Sequence, residues 1–261
     1  MTAAASEHES VSIPHICDLA RAALGVYSAE PAKRVPAFVE AYPHIIPLQY
    51  HKYYAFVAWN DEAVVISFRG NDEERQWLEA LSYGQSAWIA GRAHGGLIRV
   101  LEGFWKGLLA ALFDADALSK HTYITGHSLG GGLALLAAHK LHAEGWGVEE
   151  AVVFGAPPVL DPVAAEAYPV TALRVVNNED AIPALSWPAL FDSYRHVGKE
   201  WFLLPSGRLA ASRHGHGLAR RIDRAASIGE GPLPAGPIHD HQMERYLEKL
   251  EGLGAGEKPA R

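Results

Sequence analysis

Gly126-His127-Ser128-Leu129-Gly130 is the stretch of this chain whose residue types and spacing best suit chemistry, and the chemistry is nucleophilic. A serine with glycines two places to either side fits a sharp strand-to-helix turn that lifts the hydroxyl above a sheet. The glycines let strand and helix approach without a Cβ clash. A helix that begins at the serine also favours negative charge developing near its N-terminus. The flanks suit that turn: His121–Thr125 reads as a short strand and Leu129–Ala143 as a helix apolar on most sides. A phosphate-cradling loop is the rival reading, but the Walker lysine and the dinucleotide glycine spacing are both missing.

A serine hydroxyl is a poor nucleophile without a base, and the base needs an acid to orient it. With an elbow of this kind the acid and then the histidine follow the serine along the chain. Leu173–Val176 reads as a strand running into the loop Asn177–Pro183, where Asp180 is the leading acid. Glu179, its neighbour, and Asp161, after the strand around Phe154, are the alternatives. For the base, His239 and His241 both stand at the head of a final helix, behind Pro232, Pro234 and Pro237, and position leaves both open. The His-x-His pair could join His214 and His216 around a metal, but no fixed ligand spacing supports that. No metal and no cofactor are expected.

The elements that would position these residues alternate in type. Tyr53–Trp59 and Ala63–Phe68 read as strands joined by an Asn60-Asp61 turn, and Leu97–Phe113 as a helix. Ala151–Phe154, Ala172–Val176 and His196–Leu204 read as further strands, and Met243–Leu250 as a last amphipathic helix. Strands alternating with helices predict an α/β fold, a mostly parallel sheet with helices on both faces. Sites in such sheets lie at the carboxyl ends of the strands.

The chain has 261 residues, 49% hydrophobic and 20% charged, which suits one packed domain over residues 11–251. Residues 1–10 are expected to be a disordered N-terminus and 252–261 a flexible tail. A net charge of −7 argues against a nucleic-acid partner, because phosphate binding needs clustered positive charge. Arg213, Arg220, Arg221 and Arg224 read as a solvated insert. No apolar run is long enough to span a bilayer, so no transmembrane segment is expected. Met1–Ser10 lacks the basic start and apolar run of a signal peptide. The single cysteine, Cys17, excludes an internal disulfide and reads as a buried, inert thiol in a helix over Ile13–Tyr27. These features together predict a cytoplasmic protein, with secretion by another route left open.

At this point the motifs resemble those of the class 3 (fungal-type) lipase family of the α/β-hydrolase superfamily. Val64–Gly70 is similar to the family's Ser-Phe-Arg-Gly strand end. Gln76–Leu81 with His94-Gly95-Gly96 resembles its Asp-Trp…His-x-Gly segment. The elbow, the Phe154-Gly155-Ala156-Pro157 turn and the Asn177-x-x-Asp180-x-x-Pro183 loop follow in the family's order. The likeness runs roughly from Ala55 to Leu250.

The resemblance implies the α/β-hydrolase fold and a serine carboxylic-ester hydrolase that takes acylglycerols, other lipid esters or small esters. It also implies transient contact with a lipid interface. Asp240-His241 followed by Tyr246-Leu247 matches the bacterial and plant members, which favours His241 as base beside Ser128 and Asp180. The oxyanion hole would be the amides of Leu129 and of Asn71, where the family usually carries Thr or Ser. Asp72–Arg92 is the one stretch that could supply the family's lid helix. Its Trp77, Tyr83, Trp88 and Ile89 would face acyl chains or an interface, or else pack on the body of the domain. A phospholipase or lipid acyltransferase using the same triad, and a non-catalytic binding protein on the same fold, are the alternative functions.

Overall fold

The computed structural model describes residues 12–70, 84–184, 194–210 and 239–254. In chain order its elements are α1 (Ile13–Gly25), α2 (Pro31–Arg34), α3 (Pro36–Ala41), β1 (His44–Tyr50), β2 (Tyr53–Trp59) and β3 (Ala63–Phe68). Then come β4 (Gln85–Ala87), β5 (Arg92–His94), α4 (Gly95–Asp114), β6 (His121–His127), α5 (Leu129–Ala143), β7 (Glu150–Phe154) and α6 (Pro162–Glu166). The last are β8 (Ala172–Asn177), β9 (Lys199–Leu203), β10 (Leu209–Ala210) and α7 (Met243–Gly254).

Eight strands form one sheet in the order β1-β2-β3-β6-β7-β8-β9-β10. From β3 to β9 the neighbours are parallel; β1, β2 and β10 are antiparallel additions at the two edges. β3, β7 and β8 are buried at every position, as parallel strands covered on both faces should be. Successive side chains go to opposite faces. Val64, Ile66 and Phe68 therefore join one core with α4 and α5, while Ala63 and Val65 join a second core with α1 and α7. This is the mostly parallel, two-faced sheet expected from the alternation. In α7, Met243, Tyr246, Leu250 and Leu253 form a buried stripe at helical spacing.

Four local expectations need correction. β1 was not foreseen, because Pro47 interrupts its apolar run; it is tolerated because β1 is an edge strand. The strand expected over His196–Leu204 runs only from Lys199 to Leu203 as β9, and it does not close the series, because β10 pairs with it. Residues 85–94 form a two-stranded hairpin, β4 against β5, so this half of the stretch expected as a lid helix is extended. Finally, α7 continues to Gly254 because Leu253 is still buried, so the tail does not begin at residue 252. Cys17 is buried in α1, as its helical setting suggested.

Candidate active site

The elbow follows from two chain segments that cross too closely for side chains. A Cβ on Gly126 would lie 2.3 Å from Gly130 O, and one on Gly130 would lie 2.2 Å from Phe68 O. Between β6 and α5, Ser128 takes φ 61° and ψ −131°. That region costs a non-glycine residue about 1–3 kcal/mol and persists only where the surroundings over-determine it. Here Ser128 N–H donates to Phe154 O at 2.9 Å, while Ser128 O accepts from the Gly131 and Gly132 amides. Ser128 is 1% exposed, and its Oγ has no hydrogen-bond partner among the described residues. Buried hydroxyls are nearly always bonded, so an orphan one points to a functional reason.

At the end of β8, Asn178 turns the chain with φ 39° and brings in Asp180, which is fully buried. Asp180 Oδ1 accepts the Ile182 amide at 2.9 Å. Its Oδ2 lies 2.8 Å from His241 Nδ1 and accepts the Tyr246 hydroxyl at 2.5 Å. An ionised carboxylate only accepts, so His241 Nδ1 is the donor and a neutral ring keeps its lone pair on Nε2. Gly155 makes room for this meeting. It has φ 56°, and a Cβ there would lie 2.6 Å from Asp180 Oδ2 and 3.1 Å from His241 Nδ1.

The choice between the two histidines is a geometric one. His239 is 52% exposed with its ring 3.7 Å from Asp240 Oδ1, whereas His241 is 17% exposed and bonds Asp180. Asp240 ties the histidine segment to the acid loop: its Oδ2 accepts from Asn178 Nδ2 at 2.7 Å and Glu179 N–H at 3.1 Å, and its main-chain oxygen from Asn177 Nδ2 at 2.9 Å. The alternative acids have other duties. Asp161 caps α6 by accepting Ala164 N–H at 2.7 Å, and Glu179 contributes that amide to Asp240.

Ser128, Asp180 and His241 therefore come to one end of the sheet from three distant stretches. The His127 and His241 rings are 4.5 Å apart, and His127 Nε2 lies 2.6 Å from the His241 carbonyl oxygen. Burial first, and then His241 beside it, hold the His127 pKa well below the usual histidine value. Leu129 heads α5, where the first amides of a helix lack intrahelical acceptors. Asn71, Trp77 and Tyr83 lie outside the described residues, as do His214 and His216. Gly70 is described: a Cβ on it would lie 2.7 Å from His127 O and 3.1 Å from Ser128 Cβ. Of the two described candidates from the expected lid stretch, Trp88 packs on the domain while Ile89 faces out. Trp88 Nε1 donates to His139 Nδ1 at 3.2 Å, and Ile89 is 48% exposed. His139 is eleven residues beyond Ser128, about 16 Å along α5 at 1.5 Å per residue. Trp88 thus packs on the body of the domain.

Sequence reasoning gave no role to Tyr246, Asp240, Asn177, Tyr27 or His127. Only the spacing of Tyr246 behind Asp240-His241 carried a signal. Among the described residues no group of three or more His, Cys, Asp or Glu could hold a metal. Nor is any described helix long and apolar enough to cross a membrane.

A strand–elbow–helix crossing in a mainly parallel sheet, with a carboxylate–imidazole pair beyond the next strands, defines the α/β-hydrolase fold. Residues 65–189 match the model of the family described as lipase (class 3), so the resemblance read from the motifs holds over that stretch. The lipase of Rhizomucor miehei is 30% identical over 55% of this chain and 42% of its own length. Secreted mono- and diacylglycerol lipase 1 of Fusarium solani is 29% identical over 57% of this chain and 47% of its own. The chain spans less than half the length of these two curated relatives. Among solved structures, the Rhizomucor miehei triacylglyceride lipase has a TM-score of 0.65 at 22% identity, covering 89% of this chain and 94% of that one, which shows the shared fold.

The relatives overturn the expected cytoplasmic location, since those of Fusarium and Penicillium are named as secreted. The physical reason is that a lone cysteine says little about compartment. A chain of this size buries enough surface to be stable in an oxidising medium without disulfides.

Proposed function

We propose that this protein hydrolyses lipid carboxylic esters, acylglycerols in particular, through an acyl-enzyme on Ser128, and that it does so outside the cell. His241 Nε2 takes the Ser128 proton as Oγ attacks the ester carbonyl. Asp180 holds the ring by its Nδ1–H and stabilises the imidazolium that forms. The oxyanion rests on the Leu129 and Asn71 amides, donors of a kind worth about 10²–10³ in rate each. His241 then protonates the leaving alcohol, and a water deprotonated by the same base releases the acid and restores the serine.

The observation that carries this reading is the Asp180–His241 pair, 2.8 Å apart and locked by Tyr246 and the Ile182 amide, at the same end of the sheet as a buried Ser128 hydroxyl that has no hydrogen-bond partner among the described residues. The acylglycerol assignment leans on the names of the relatives, three of them mono- and diacylglycerol lipases. The test is release of fatty acid from emulsified mono-, di- and triacylglycerols and from phospholipid, alongside p-nitrophenyl esters of rising chain length. Acylglycerols are expected to be turned over and Ser128→Ala to sit at background. Preference for phospholipid, or acyl transfer to an alcohol outrunning hydrolysis, would redirect the substrate assignment. Lipid binding with no turnover would favour a binding protein.

A further inference from the structure

Three stretches far apart in sequence adjoin the reacting atoms: the chain after β3, the elbow and the head of α7. Tyr27, just past α1, touches the first two. Its hydroxyl oxygen accepts Gly70 N–H at 3.1 Å and lies 3.0 Å from His127 Nδ1. The far side of the His127 ring reaches the third, with Nε2 2.6 Å from the His241 carbonyl oxygen.

The direction of every bond in this line is fixed. A carbonyl only accepts, so His127 Nε2 carries the hydrogen. His127 is held neutral by its burial and by His241, so its Nδ1 is a lone pair. The Tyr27 hydroxyl therefore donates to Nδ1 and uses its oxygen to accept from Gly70. Burial also raises the Tyr27 pKa, so the hydroxyl keeps its proton. The Arg69 guanidinium stands 5.4 Å from the Tyr27 ring centre and 5.2 Å from that of Tyr54, which pins the residue before Gly70 as well.

We infer that Tyr27 and His127 are positioning residues, whose directed line Gly70 N–H to Tyr27 to His127 to His241 C=O sets Gly70 and the base at fixed places around Ser128. This rests on the reading of Ser128 as nucleophile and His241 as base. Both act through main-chain groups, the Gly70 amide and the His241 carbonyl oxygen, rather than at the reacting atoms. Loss of the Tyr27 hydroxyl frees the Gly70 amide and the His127 tautomer. If Nε2 loses its hydrogen, two lone pairs face each other across the contact to His241.

The test is Tyr27→Phe, which keeps the ring over Arg69, with His127→Gln and His127→Ala beside it. Sites are counted with a fluorophosphonate probe and turnover is followed on a short p-nitrophenyl ester. A partly misplaced oxyanion donor and base should lower kcat per titrated site roughly tenfold in Tyr27→Phe, with KM within about twofold, a loss smaller than deleting a donor outright. His127→Gln can still present an N–H near Nε2, so it should keep several-fold more kcat than His127→Ala. Wild-type kcat per titrated site in Tyr27→Phe would overturn the inference, as would equal losses in the two His127 variants. Should Tyr27→Phe fail to fold, the His127 pair carries the same comparison. A wild-type chain that the probe does not titrate would instead overturn the nucleophile reading, and this inference with it.

Discussion

Asp180 has no exposed surface, and three donors converge on its two oxygens: the Ile182 amide, His241 Nδ1 and the Tyr246 hydroxyl. An amide at this position cannot accept from all three. Asp180→Asn would turn its NH2 either toward the Ile182 N–H or toward both His241 and Tyr246, which share Oδ2, and the histidine tautomer would no longer be fixed. The expected result is a fall in kcat of about 10³–10⁴, with an unchanged far-UV circular dichroism spectrum; near-normal kcat would remove Asp180 from the mechanism. At this scale Ser128 and Asp180 were legible because each sits in a local motif next to a strand end. His241 needed either the family pattern or the contact with Asp180, since His239 has the same local setting. Tyr246, Tyr27 and His127 were not legible as site residues. Their roles come from partners 43 to 114 positions away, a proximity that no local spacing encodes.

β7 illustrates what a buried element imposes on its own residues. All five positions are buried, including Glu150, whose carboxyl is pushed from 4.5 up to about 7, mainly by burial and despite Lys199. His15 Nε2 lies 3.9 Å away, but burial lowers the pKa of that imidazole, so it offers little compensating charge. Between pH 4.5 and 7 the folded chain holds a proton here that the unfolded chain has lost. Stability therefore falls as pH rises through that window, with the full cost above 7 and none below 4.5. Glu150→Gln should stabilise the protein by about 1–2 kcal/mol at pH 8 and by almost nothing at pH 4. Urea unfolding at both pH values checks this, and an equal gain at each would contradict it. Elements with unbroken patterns were legible: β2, β3 and α5 run where alternation, β-branched content and apolar helical content put them. β1 was hidden by its proline. The β4–β5 hairpin was hidden because strands of three residues are too short to show a period.

In the whole molecule the site lies where the two covered faces of the sheet meet. The face of α1 and α7 supplies Tyr27, His241 and Tyr246, and the face of α5 supplies the helix start behind Ser128. The parallel order of β3, β6, β7 and β8 sends the loops of Gly70, Ser128, Gly155 and Asp180 to the same end. That convergence was readable from the alternation of strands and helices, whereas the compartment was not, because composition does not encode an address. On the proposed mechanism, Ser128 is the hydroxyl this architecture activates. The direct measurement is tandem mass spectrometry of the chain after reaction with a fluorophosphonate. One adduct per chain, on the peptide containing Ser128 and formed in step with loss of esterase activity, is the expected result. An intact chain that takes up no probe, or carries it on another residue, would contradict the account.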